Sequence, residues 1–175
     1  MAWNQYDAGE YVQARDQFKS LLAKDPADSA AARGLILSTY RAGDPVEAYE
    51  LARAHETDIP NARGVVLGMV EGDAWKLVDS KEYKKADDLI VGFKDEPSLG
   101  KVREEIGRHE VEQALVAGRS NEAVTLADGY GLDSQKLSST QSRLLVAKAE
   151  QLQAGGKYRE SLKVLEDANE ISSLD

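Results

Sequence analysis

Apolar residues recur along this chain at three- and four-residue steps, in short runs that return at regular distances. Tyr11, Ala14, Phe18 and Leu21 put one apolar stripe on a helix. Asp25-Pro26 closes that helix, because proline excludes the α region for the residue before it. Ala8-Gly9-Glu10, just ahead of Tyr11, marks the stop of an earlier helix. The spacing therefore predicts a turn followed by a helix, and the same offsets come back.

Turn residues fall at Gly9, Gly43, Lys81, Gly118 and Gly156, separated by 34, 38, 37 and 38 positions. Five places after each stand Ala14, Ala48, Ala86, Ala123 and Ser161, small every time. Seven places before stand Ala2, Ile36, Ala74, Val111 and Ala149, and nine after stand Phe18, Ala52, Ile90, Ala127 and Leu165. Small residues at facing positions let two antiparallel helices approach closely. The expectation is a helical hairpin repeated five times: all-α, with no strand.

Gly9, Tyr11, Ala14, Phe18 and Pro26 resemble the second half of a tetratricopeptide repeat. Gly43 and Ala48, with Leu35 and Tyr40 before them, resemble the next one. Lys81 and Ser120 depart from that pattern, and the last three repeats exceed its length by about one helical turn, which a longer first helix absorbs. The resemblance implies an α-solenoid of about five hairpins wound as a right-handed superhelix. Its repeats are approximately 1–26, 27–60, 61–97, 98–133 and 134–175. No linker long enough for a domain boundary interrupts the series. Only eight residues precede Gly9, so the reading expects an incomplete first helix behind an engineered Met1. It also expects the whole to be a segment of a longer protein.

Local signals punctuate the series. Asp28 or Ser29 can cap one helix, and Asp44-Pro45-Val46-Glu47 supplies a cap, an N1 proline and a first-turn acid. Asn61 and Ser120 are further candidate caps. Ser98 is expected to start a long helix through Ala117, and 134–155 the ninth.

Charge narrows the function. The net charge of −9, with 30% charged residues, suits a hydrated helical surface and argues against duplex nucleic acid, whose phosphates need a basic stripe. No long uncharged run offers a membrane span. Zero cysteines remove thiolate metal sites and disulfides. His55 and His109 stand in different repeats, and His55 shares its offset with Leu21 and Phe93, which reads as packing. Gly64, Gly68 and Gly72 lack the lysine and serine of a phosphate loop. Pairs such as Glu104-Glu105 and Asp87-Asp88 read as solvated faces. No metal, cofactor or catalytic constellation is expected.

What remains is a surface. In the family that the chain resembles, first helices line a concave groove through residues ten, six and three places before the turn. Those offsets give Arg33, Glu71, Arg108 and Val146; Trp3, Leu37, Trp75, Glu112 and Glu150; and Tyr6, Tyr40, Val78, Leu115 and Gln153. The candidate partner-binding residues are Trp3, Tyr6, Arg33, Leu37, Tyr40, Gly68, Glu71, Gly72, Trp75, Arg108 and Glu112. Trp3 and Trp75 are either interface anchors or buried between helices. Gly68 and Gly72 either leave room for a partner backbone beside Trp75 or receive a neighbouring helix. Glu112 and Glu150 favour a basic partner at that end. The lysine and asparagine clamp by which some relatives grip a C-terminal carboxylate is missing, since Trp3, Leu37, Arg33 and Glu71 occupy its places.

The expected function is a non-catalytic scaffold holding a partner peptide or protein segment. A structural spacer or self-associating array is the alternative. The Ala-rich style of Ala31-Ala32-Arg33-Gly34-Leu35 resembles repeat regions of bacterial envelope proteins serving exopolysaccharide export or pilus assembly. That resemblance favours a periplasmic setting over a cytoplasmic one.

Overall fold

Five left-handed backbone turns join the two helices of successive hairpins. φ is +80° at Gly9, +100° at Gly43, +62° at Lys81, +72° at Gly118 and +74° at Gly156. A helix that ends with its next residue in this conformation can satisfy two of its orphan carbonyls. At the first turn Gly9 N–H donates to Tyr6 C=O at 3.0 Å and Glu10 N–H to Gln5 C=O at 2.9 Å. The same pair of bonds recurs at Gly43 and Asp44, Lys81 and Glu82, Gly118 and Arg119, and Gly156 and Lys157. The carbonyl of each second residue then accepts from the N–H of Ala14, Ala48, Ala86, Ala123 or Ser161, opening the second helix. All five of those side chains are 0% exposed. One small residue thus closes the first turn of each second helix and lies fully buried.

The computed structural model of the chain describes residues 1–132 and 141–172. Among the described residues there are ten α-helices and no strand. They are α1 (Ala2–Asp7), α2 (Tyr11–Lys24), α3 (Ser29–Arg41), α4 (Pro45–Ala54), α5 (Ala62–Asp79), α6 (Tyr83–Ile90), α7 (Gly100–Val116), α8 (Ser120–Tyr130), α9 (Gln141–Ala154) and α10 (Tyr158–Ser172). Short 3-10 turns cover Val91–Phe93 and Pro97–Leu99. The helices pack in sequence order as antiparallel pairs, and the chain divides into two compact units, Met1–Leu99 and Gly100–Asp175.

In the first unit each helix lies against its sequence neighbours, and the first helices also touch, α1 with α3 and α3 with α5. Phe18, Ala14, Ala2, Ala31 and Leu35 form one core, flanked by Tyr6, Leu22 and Leu51. Phe18 reaches across to α3 because Gly34 has no side chain there: a Cβ on Gly34 would stand 2.3 Å from the ring. Val66, Val70 and Ala74 of α5 and Ala86 and Ile90 of α6 are at most 1% exposed.

In the second unit α8 packs on α7 and α9, and α9 on α10. Its core joins Val111, Ala114, Ala123, Val124, Ala127 and Ala147. Gly107 of α7 lies directly under Tyr130, and the Ser161 hydroxyl donates to Ala149 C=O at 2.9 Å, so this buried polar side chain is satisfied.

Several caps differ from expectation. Asp28 caps α3 through Ala30 and Ala31 N–H, and Pro45 and Glu47 open α4 as the sequence implies. Asp44 gives α4 no side-chain cap; its carboxylate accepts from Arg15 at 3.1 Å instead. Asn61 is itself left-handed and makes no side-chain cap, and Arg119 rather than Ser120 is the N-cap of α8. Pro97 winds a 3-10 turn, so α7 begins at Gly100 and not at Ser98. The start assigned to the ninth helix at 134 lies outside the described residues. His55 follows α4, half-buried beside Asp58, and Leu21 at the same offset is 41% exposed; only Phe93 of that trio is core.

Candidate functional site

The three rows expected to face a partner separate by burial. In the first unit the row ten places before the turn is open: Arg33 is exposed and Glu71 half-buried. The row six before is intermediate, with Leu37 and Trp75 half-buried and Trp3 39% exposed. The row three before is the most buried of the three. Tyr40 and Val78 are each 6% exposed, which removes Tyr40 as a contact surface; Tyr6 is half-buried.

Tyr40 instead ties two first helices together. Its hydroxyl donates to the Asp73 carboxylate of α5 at 2.8 Å, and Asp73 also accepts from Lys76 at 2.7 Å. Burial and the Asp73 carboxylate hold the Tyr40 hydroxyl above its ordinary pKa. Burial works against the charge on Asp73, but Lys76 and Tyr40 outweigh it and hold its carboxyl below the usual range. Next along, Arg41 lies 5.9 Å from the Tyr40 ring centroid, and the nearby Tyr6 raises its guanidinium pKa. Tyr6 in turn meets Trp3 and Tyr11 edge-on, at 5.7 and 5.4 Å between centroids. Arg41 and Asp73 fall on none of the three offsets, so periodicity alone passed over them. Elsewhere Arg63 donates to Glu56, and the Tyr49 hydroxyl donates to Glu96.

Trp3 leans its edge on Phe18, 4.8 Å between centroids, and borders a cavity of about 570 Å³ with Ala2, Phe18, Leu21 and Ala31. It is therefore partly packed and partly open. On α5 the glycine stripe is not uniform. Gly64 faces the Asn61 side chain, whereas a Cβ at Gly68 or Gly72 would meet nothing within 4 Å. Neither glycine receives a neighbouring helix. Beside this bare stretch, α3 and the start of α5 enclose a smaller cavity of about 260 Å³. Ile36, Ile59 and Ala62, each at most 5% exposed, form its floor; Leu37, Val65 and Arg33 border it. Ile59 reads as loop punctuation in Ile59-Pro60, so only its β-branched side chain hinted at this role.

In the second unit Arg108 pairs with Glu104 at 2.6 Å and Glu105 at 3.7 Å, which draws its charge back onto α7. Glu112, Val146 and Glu150 are exposed, Leu115 is buried and Gln153 is exposed. Glu150 borders a cavity of about 720 Å³ with Arg119 and Glu122, themselves ion-paired at 2.7 Å. Among the described residues no group of three His, Cys, Asp or Glu side chains could hold a metal ion, and no helix is long and apolar enough to cross a membrane. Comparison with protein families, curated proteins and solved structures finds no match to the chain.

Proposed function

We propose that the chain is a tetratricopeptide-like array, wound as a right-handed superhelix, and that it acts as a non-catalytic scaffold. Its first-helix face holds a segment of a partner protein. Five recurrences of one turn and one buried small residue support the architecture. The observation that carries the function is the contrast on α5. Val66, Val70 and Ala74 are fully buried, while Gly68 and Gly72 leave open backbone on another face. Each glycine inside a helix costs about 1 kcal/mol relative to alanine. A bare, uncovered stretch suits the close approach of another backbone, with Trp75 one turn beyond Gly72 as an aromatic anchor. A basic partner segment suits exposed Glu112 and Glu150 of the second unit, with binding that weakens as salt rises. A bacterial envelope assembly for polysaccharide export or secretion is the setting we favour.

Gly68→Leu tests the reading, since a Cβ at that position meets nothing within 4 Å. The variant is compared with the wild type for far-UV circular dichroism and for capture of partner proteins from the source organism. Unchanged helicity with lost capture supports the scaffold. Unchanged capture removes the site from this face. The competing reading, a structural spacer, draws on the Tyr40–Asp73 hydrogen bond and on the packing of successive first helices. On that reading no partner is retained by either protein.

A further inference from the structure

We infer that the cavity between α3 and the start of α5 is a side-chain pocket for a partner segment in which a large apolar residue is flanked by Asp or Glu. The inference rests on the scaffold reading and names the chemistry of what that scaffold holds. Two observations converge on it.

The pocket is already formed. Ile36, Ile59 and Ala62 give it a buried apolar floor, and the exposed Val65, half-buried Leu37 and exposed Arg33 surround the opening. A volume of about 260 Å³ is below that of a site for a whole small-molecule ligand and suits a single side chain. Apolar anchors seated in such pockets carry most of the binding energy at protein interfaces.

The charge beside the opening is unspent. Among the described residues of the first unit, the other arginines are engaged: Arg15 with Asp44, Arg41 with the Tyr40 ring, Arg53 with Glu50 and Arg63 with Glu56. Arg33 has no such partner in a chain of 31 acidic residues. A guanidinium beside an apolar pocket selects a carboxylate adjacent to the inserted side chain, because its planar donors match the two oxygens. Lysine at the same place in the partner would meet like charge.

Magnitudes assign the roles. Full burial of a leucine side chain corresponds to about a 10- to 100-fold gain in affinity. An exposed ion pair contributes about two- to fivefold. The pocket therefore anchors, and Arg33 discriminates.

The test uses the full 175-residue chain with labelled Ile, Leu, Val and Ala methyl groups. The probe is a terminally blocked pentapeptide, acetyl-Gly-Glu-Leu-Glu-Gly-amide, followed by NMR titration. Saturating shifts are expected at the methyls of Ile36, Ile59, Ala62 and Val65. Replacing the probe leucine by alanine should weaken binding about 10- to 100-fold. Arg33→Gln, an exposed substitution, should weaken it about two- to fivefold and erase the preference over the lysine counterpart acetyl-Gly-Lys-Leu-Lys-Gly-amide. No saturable shift at those four methyls overturns the pocket, and equal binding of the glutamate and lysine peptides overturns the role of Arg33. The two readings fail separately. A silent pocket with capture lost in Gly68→Leu leaves the scaffold standing. A responsive pocket with capture unaffected by Gly68→Leu moves the partner site off the glycine stretch and onto α3.

Discussion

Lys81 holds the one left-handed turn of the five that glycine does not occupy. A side chain in that conformation costs about 1–2 kcal/mol, and glycine at the end of a helix escapes the penalty. Lys81→Gly should therefore raise stability by about 1 kcal/mol, seen as a higher urea midpoint at unchanged slope. An unchanged or lower midpoint would mean that Lys81 contributes something its exposed side chain does not reveal. The turn at Lys81 was legible only by its distance from Gly43 and Gly118, since nothing in lysine itself signals the conformation. Tyr40 was legible as an aromatic at a repeated offset, but its partner was not: Asp73 lies 33 positions on, and periodicity cannot say which side chains meet across two helices. Their hydrogen bond makes a second prediction. The folded state holds the Tyr40 proton more tightly than the unfolded chain does. Its contribution is thus complete below the ordinary tyrosine pKa near 10 and is lost as pH rises beyond it. Tyr40→Phe should cost about 1–2 kcal/mol at neutral pH, and the gap from wild type should narrow in urea titrations above pH 10. A gap independent of pH would show that the hydroxyl does not supply the difference.

At the scale of the element, two helical glycines that look alike in sequence carry opposite instructions. Gly34 stands where the Phe18 ring crosses α3, so a methyl group there must displace the ring. Gly34→Ala should destabilise by about 1–3 kcal/mol. Gly68 meets nothing, and Gly68→Ala should stabilise by about 0.5–1 kcal/mol by restoring helix propensity. Thermal melts of the two variants should move in opposite directions; a shared direction would mean that propensity alone governs both sites. The repeated offsets located the helices and the crossing alanines because small residues there serve every hairpin alike. They did not separate the covered glycine from the bare ones, which depends on whether the neighbouring hairpin offers a phenylalanine. Nor did they find the pocket beneath Arg33. Ile59 and Ala62 lie where one hairpin hands over to the next, outside any repeated register.

For the molecule as a whole, five hairpins were legible from recurrence, while the parting into units at Leu99 and Gly100 was not. Asp95-Glu96-Pro97-Ser98 differs little in composition from the other punctuation, and compactness is a property of packing that no single stretch records. The first unit has its own cores around Phe18 and along α5 and α6. A fragment of residues 1–99 should therefore retain its helicity and melt cooperatively, as followed by circular dichroism; a fragment that is disordered would show its stability to depend on the remainder. Each unit is built from hairpins whose turns close on their own backbone. Such a turn carries its folding instructions with it. A stretch of 34 to 38 residues copied in frame brings a complete turn and a small crossing residue along. A gene for such a chain can therefore lengthen or shorten by whole hairpins through duplication and loss, with each new copy free to drift in the residues it shows to the outside.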